Sequence, residues 1–253
     1  MAMERAVFGR QSKTEIISIS ENEKKRYMDC YGTEKSRFHC VPPGISKKRL
    51  APANAPENRD EIREKFFADE NTHIVLMVGS GFKTKGVDRA VRAISALPER
   101  LKEKTLLVIV GKGKTRPYLR LAKRLGVLPN IHFMGQRDDV AKFMAGADLL
   151  LHPSYHENTG TVLIEAMAAG LPVLATGTCG YGSHVKRAGA GRLVPSPFRQ
   201  ETLNNMLASM LSDKQMEQWG KNGKKYVAET DVYSMHQKAA EIIETVAAGR
   251  RFS

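Results

Sequence analysis

"HIVLMVGSGFKTKGVDRAVRAISALPERLKEKTLLVIVG", residues 73–111, carries the alternation on which the fold rests. Residues 73–79 are a short apolar run ending in Gly, which reads as a buried strand. Val87, Ala90, Val91, Ile94 and Leu97 then fall on one face of a helix over 87–98, closed by Pro98. "TLLVIVG" (105–111) is a second buried strand. The pattern continues outward with helices over 117–126, 138–147 and 159–170 and strands over 130–135, 148–152, 172–176 and 191–195. Short apolar runs alternating with amphipathic helices predict βαβ units on a parallel sheet. The fold class expected is α/β, a Rossmann-like doubly wound parallel sheet, within residues 46–228. In such sheets ligands sit beyond the carboxyl ends of the strands. Those ends are the Gly-, Lys-, Ser- and Thr-rich segments 79–86, 111–115, 135–137, 152–160 and 176–182.

The flanks differ. "TEIISIS" (14–20) reads as a strand, Ser20 and Glu23 as a capping box opening a helix, and "RFHCVPPGI" (37–45) as another strand. "APANAPEN" (51–58) reads as a loop. One βαβ unit cannot bury its own faces, so residues 1–45 are expected to need a partner surface. The C-terminal end reads as helices over 199–212, 214–228 and 231–248. The last places Met235, Ala239, Ile242, Ile243 and Val246 on one stripe, which also requires a partner.

With 253 residues, 42 % of them hydrophobic, the chain can form one or two domains with a sizeable core. A formal net charge of +13 favours anionic partners: nucleotides, nucleic acid, anionic lipid or lipopolysaccharide. The short basic clusters at 46–49 and 221–225 also read as solvated helix faces. Cys30, Cys40 and Cys179 are odd in number and form no CxxC pair, which argues against a disulfide framework or zinc site and suits a reducing compartment. "MAMERAVFG" lacks the apolar core of a signal peptide. No apolar run approaches the ~18 residues of a spanning helix.

Two phosphate motifs fail on spacing. "GKGKT" (111–115) resembles a Walker A loop, but Val108 stands where its first Gly belongs; "GSGFKT" (79–84) opens like a dinucleotide fingerprint, but Thr84 replaces the third Gly. His152 and His156 have i, i+4 spacing, yet Pro153 intervenes and no third ligand is identified, so no metal is expected. "GSGFKTKG" offers glycines for close backbone approach, with Lys83 and Lys85 at a helix N-terminus, a combination suited to a diphosphate. In "HENTGTVLIEAMAAGLPV" (156–173), Glu157 precedes a helix whose first-turn amides, from Asn158, Thr159, Gly160 and Thr161, could hold phosphate, with Gly160 leaving it room. Glu165 lies one turn further among apolar neighbours, where a carboxylate needs a hydrogen-bonding partner such as a ribose diol. On spacing alone, the reading as two ordinary acids on a loop and a helix comes first.

E-x7-E followed by "AMAAGLPVLAT", with "VGSGFKTKGVDRAV", "FMGQRDDV", "ADLLLHP" and "PPGI" in order, resembles the retaining glycosyltransferases of family 4, which have the GT-B fold of two facing Rossmann-like domains. "ERAVF", "RFHCVPPGI" and "CGYGSHV" bring the resemblance nearest to members that add hexose to lipopolysaccharide inner-core heptose. It implies a hexosyltransferase with a UDP-sugar donor, UDP-glucose foremost, an inner-core acceptor, no cofactor and no metal. A UDP-N-acetylhexosamine or GDP-mannose donor is the alternative within the family, and a basic module binding nucleic acid or an anionic surface the alternative outside it. The sequence lacks the aromatic-interleaved basic patches that nucleic-acid binding would require. Residue by residue, the resemblance implies that Lys85 neutralises the diphosphate, Glu157 acts beside the donor sugar as the catalytic carboxylate, Glu165 binds ribose, Arg137 lies near uracil, and the turn from Asn158 to Thr161 holds phosphate. Many members carry Arg where this chain has Ser80, and Lys83 is the expected substitute. The resemblance further implies that 1–45 is the end of an N-terminal acceptor domain, that 229–253 crosses back toward it, that most of that domain is missing here, and that the enzyme works in the cytoplasm at the inner membrane surface.

Overall fold

The structure, a computed structural model, describes residues 2–46 and 55–249. Two compact units emerge: Met1–Ser46 with Asp231–Ser253, and Lys47–Thr230. The basic residues 47–49 and the first half of the 51–58 stretch lie outside the described residues.

The smaller unit contains α1 (Ala2–Phe8), β1 (Ile16–Ser18), α2 (Glu21–Tyr31), β2 (Phe38–Cys40) and, from the C-terminal end, α12 (Met235–Ala247). β1 and β2 pair in parallel as a two-stranded sheet of their own, Ile16 opposite Phe38. The Ser20 cap forms as expected, its hydroxyl accepting the Glu23 amide at 3.4 Å. Helix α1, unpredicted, is held by tertiary contacts: Phe8 stacks on Tyr27 with ring centroids 4.1 Å apart, and buried Arg37 donates to the carbonyls of Val7, Gly9 and Thr14. The Ile45 amide donates to the Val232 carbonyl at 3.0 Å, and Met235 packs on Gly44. Ile17, Ile19, Ile243 and Val246 remain exposed.

The larger unit runs α3 (Ala55–Lys65), β3 (His73–Val78), α4 (Val87–Ser95), α5 (Glu99–Lys102), β4 (Thr105–Val110), α6 (Arg116–Arg124), β5 (Ile131–Gly135), α7 (Val140–Gly146), β6 (Leu149–His152), α8 (Thr161–Ala169), β7 (Val173–Thr176), α9 (Gly182–Ala188), β8 (Gly191–Val194), α10 (Gln200–Leu211) and α11 (Met216–Glu229). The six strands form one all-parallel sheet in the order β5-β4-β3-β6-β7-β8, the doubly wound arrangement expected. Val75, Leu76, Leu107, Val108, Leu150 and Leu174 are fully buried, as strands covered on both faces require.

Two helices correct the sequence reading. Residues 55–65, the first four of them expected as loop, form α3; it is strongly hydrophilic, and its order comes from contacts the local pattern does not show. Ile62 packs where Gly146 of α7 leaves room, and Arg59 and Arg63 both bind Asp148. Asp148 accepts Arg59 Nη2 at 2.7 Å, Arg63 Nη1 at 3.1 Å and the Ile74 amide at 2.8 Å, at the amino ends of β3 and β6. Helix α9 opens on Gly and buries mainly Val185, too few positions for a legible stripe. The helix expected over 87–98 ends at Ser95, and Pro98 starts the separate turn α5.

Asp148→Asn should lower unfolding stability by about 3 kcal/mol, because two guanidinium groups lose their shared counter-charge. Urea denaturation at neutral pH measures it.

Candidate functional site

The chain leaves β3 toward β4 and β5, then crosses back to place β6 on the other side of β3. The two strands diverge in connection there, opening a crevice at their carboxyl ends. A cleft of about 310 Å³ occupies that position.

Its walls come from three loops held at close range. Gly79 and Gly111, at the ends of β3 and β4, touch so closely that a Cβ on Gly111 would lie 2.2 Å from the Gly79 carbonyl oxygen. The Gly79 amide donates to Val110 at 2.9 Å, and the Ser80 hydroxyl accepts the Lys112 amide at 3.1 Å. Phe82 plugs into the hydrophobic core, so the basic loop is anchored rather than freely swinging. The Tyr155 amide donates to the Thr84 carbonyl at 2.9 Å, tying this loop to the one after β6. Lys85 consequently reaches Glu157 and pairs with it through Oε2.

The turn from Glu157 to Gly160 is fixed from the other side. Gly180 donates to the Glu157 carbonyl at 3.0 Å and Tyr181 to the Thr159 carbonyl at 2.7 Å. Helix α8 begins at Thr161, so the first-turn amides that lack an intrahelical acceptor belong to Thr161 and Val162, not to Asn158. Gly160 precedes them at φ 82°. The direction of its absent side chain is occupied from within the protein: a Cβ there would sit 2.4 Å from Cys179 Sγ and 2.7 Å from Leu163 Cδ1. The glycine is required by packing and by its left-handed backbone.

Eight of the ten predicted site residues line the cleft. Glu157 and Lys85 stand together, Thr159, Gly160 and Thr161 follow along the turn, Glu165 is 4 % exposed on α8, and Ser80 and Arg137 complete the rim. Arg137 is clasped by Asp139 through paired contacts of 2.8 and 2.6 Å. Lys83 does not join them. With Phe82 turned into the core, Lys83 is carried to a separate cleft beside Tyr118, Tyr155 and His156, so it does not replace the arginine missing at position 80. Asn158 is exposed and lines neither cleft. The residues that escaped the sequence reading as site components include Gln136 and Val162, which line the cleft, and buried His152, whose Nε2 is 3.4 Å from Glu157 Oε2. The i, i+4 signal had marked His152 only as a metal candidate. His156 lines the other cleft, and among the described residues no group of three or more His, Cys, Asp or Glu could hold a metal.

Burial pushes the Glu157 carboxyl up, but Lys85 and His152 outweigh it and hold the group at about 2. Burial pushes the neighbouring Cys179 thiol up to about 12, leaving it protonated and packed. The cleft thus presents one ammonium, one persistently ionised carboxylate and a helix N-terminus, a set able to stabilise opposite charges separating along one axis.

Residues 58–226 match the family model described as glycosyl transferases group 1. The chain belongs to this family. It is 42 % identical over 96 % of its length to the lipopolysaccharide glucosyltransferase WaaG of Escherichia coli K12, and spans 65 % of that protein. A D-inositol 3-phosphate glycosyltransferase of Salinispora arenicola is 31 % identical over 71 % of the chain and 43 % of the relative. The crystal structure of WaaG superposes with a TM-score of 0.87, covering 96 % of this chain and 66 % of that one. Anabaena Alr3699/HepE, solved with UDP and glucose, shares the fold at 21 % identity, with a TM-score of 0.78 over 98 % of this chain and 66 % of that one. Within the family's GT-B architecture, the large unit has the expected Rossmann-like form.

Two outcomes follow from this geometry. The Glu157 carboxyl is lowered on folding, so its stabilisation is complete above its unfolded value near 4.5 and fades as pH falls toward 2. Wild type should therefore exceed Glu157→Gln in stability by a constant margin above pH 5, with the margin shrinking below pH 4.5 in a denaturation series. Gly160→Ala should cost about 1–3 kcal/mol, and Cys179→Ala in the same chain should recover part of it by removing the obstructing sulfur.

Proposed function

We propose that this chain is the donor-nucleotide part of a retaining hexosyltransferase that moves glucose from UDP-glucose to the inner-core heptose of lipopolysaccharide. The observation that carries the reading is the Lys85–Glu157 pair at the crevice between β3 and β6, next to the first turn of α8. In the reaction the bond from sugar C1 to the diphosphate oxygen breaks, negative charge grows on UDP, and positive charge grows on the sugar ring. Lys85 and the amides of Thr161 and Val162 are suited to the diphosphate. Glu157, ionised throughout the physiological range, is suited to the sugar ring. The acceptor hydroxyl bonds to C1 on the same face and its proton leaves with the diphosphate. Glu165, which also lines the cleft, is assigned to the ribose hydroxyls, and Arg137 to the uracil side. The diphosphate charge is met by protein groups, so the reaction is written without a metal.

The acceptor assignment draws on the printed function of the 42 % identical relative. The small unit, in which α12 joins residues 1–46, is read as the end of an acceptor domain. The excess of basic residues suits an anionic membrane surface, with the enzyme placed on the cytoplasmic side. No helix among the described residues is long and apolar enough to cross a membrane.

Calorimetry should show UDP binding by the chain. Lys85→Ala and Glu165→Ala should each weaken it about 10- to 100-fold, or about 1.4–2.8 kcal/mol, while Lys83→Ala changes it little. Displacement of labelled UDP by UDP-glucose, UDP-N-acetylhexosamine or GDP-mannose ranks the donors. Transfer by the natural full-length enzyme should survive EDTA. Absence of UDP binding, with full activity retained by Glu165→Ala in the full-length enzyme, would refute the site.

A further inference from the structure

His152 ends β6 and is 1 % exposed. Among the described residues, neither of its ring nitrogens has a hydrogen-bond partner. Burying an imidazole in that state is costly, and an apolar side chain of similar size would fill the strand end without the cost. The ring nevertheless faces one polar group: its Nε2 lies 3.4 Å from Glu157 Oε2, close enough for electrostatic attraction but short of a formed hydrogen bond. The same carboxylate oxygen is held by Lys85.

Two groups therefore compete for one oxygen, and they differ in freedom. Lys85 reaches Glu157 on the four-carbon stem of a lysine, with several rotatable bonds, whereas the His152 ring sits at the end of a strand paired within the central sheet. A bound diphosphate draws the lysine ammonium toward its own charge. We infer that His152 is a positioning residue for Glu157: when Lys85 turns to the donor diphosphate, the His152 Nε2–H closes onto Glu157 Oε2 and keeps the carboxylate aimed at the sugar. This rests on the proposed donor site. The ring's role is to replace the partner that the carboxylate loses, at the moment when an unpartnered buried charge would otherwise swing away.

The test compares His152→Leu with His152→Gln, whose side-chain amide can supply a donor near the position of Nε2, in the natural full-length enzyme. His152→Leu should lower kcat about 10- to 100-fold, with KM for the sugar nucleotide changed by less than about threefold and the melting temperature unchanged or raised; His152→Gln should restore most of kcat. In a Glu157→Gln background, His152→Leu should have little further effect. A loss of the same size in both backgrounds, or no rescue by glutamine, would overturn the inference. A second readout needs no turnover. Imidazole nitrogen NMR should report the Nε2–H form of His152, with its signal shifting on UDP addition in wild type and not in Glu157→Gln. UDP binding with no such shift overturns the positioning role alone, whereas absence of UDP binding overturns the donor-site reading beneath it.

Discussion

The contact between Lys85 and Glu157 is possible only because β6 lies beside β3. The two residues are 72 positions apart, and β4, β5, β6 and four helices intervene along the chain. The crossover from β5 back past β3 places the loops after β3 and β6 on the two sides of one crevice. At the opposite ends of the same strands, Arg59 and Arg63 close on Asp148 and the Ile74 amide. One end of the pair of strands is tied by a satisfied charge cluster. The other is left as an open cleft with charges facing inward, a division expected of a sheet that keeps stability and chemistry at opposite edges.

The walls of the cleft are built by close backbone approach more than by side-chain bulk. Gly79 against Gly111, and Gly86 against the Pro153 carbonyl, are contacts in which no Cβ could be inserted. Gly160 makes the same point in another way, since Cys179 occupies its side-chain direction. These approaches bring Lys85, Glu157 and the start of α8 within one small volume. The resulting field keeps Glu157 ionised despite its burial, because a nearby ammonium and an imidazole outweigh desolvation. Glu157 thus stands ionised beside an ammonium and close to a helix N-terminus.

The six central strands were legible because strands buried on both faces are continuous apolar runs, and "HIVLMV" and "TLLVIV" have no competing reading at that length. Glu157, Glu165 and Lys85 were legible through spacing and family resemblance together, and they line one cleft. Helix α3 was not, since its order comes from Asp148 and α7 rather than from an apolar stripe. Lys83 was misplaced for a related reason. Nothing in "FKTK" says which lysine faces the crevice; the burial of Phe82 decides it.

By itself the sequence determined the alternation of strands and helices, the family, and most of the predicted residues that line the cleft. Those are properties of local pattern and spacing along the chain. Only the tertiary structure decided that Lys85 and not Lys83 pairs with Glu157, that Val162 and not Asn158 supplies a free first-turn amide, that Gly160 makes room for Cys179, and that His152 stands behind the carboxylate. Each of these depends on which side of a loop or strand end meets a segment distant in sequence, and that is set by how the strands are ordered and packed.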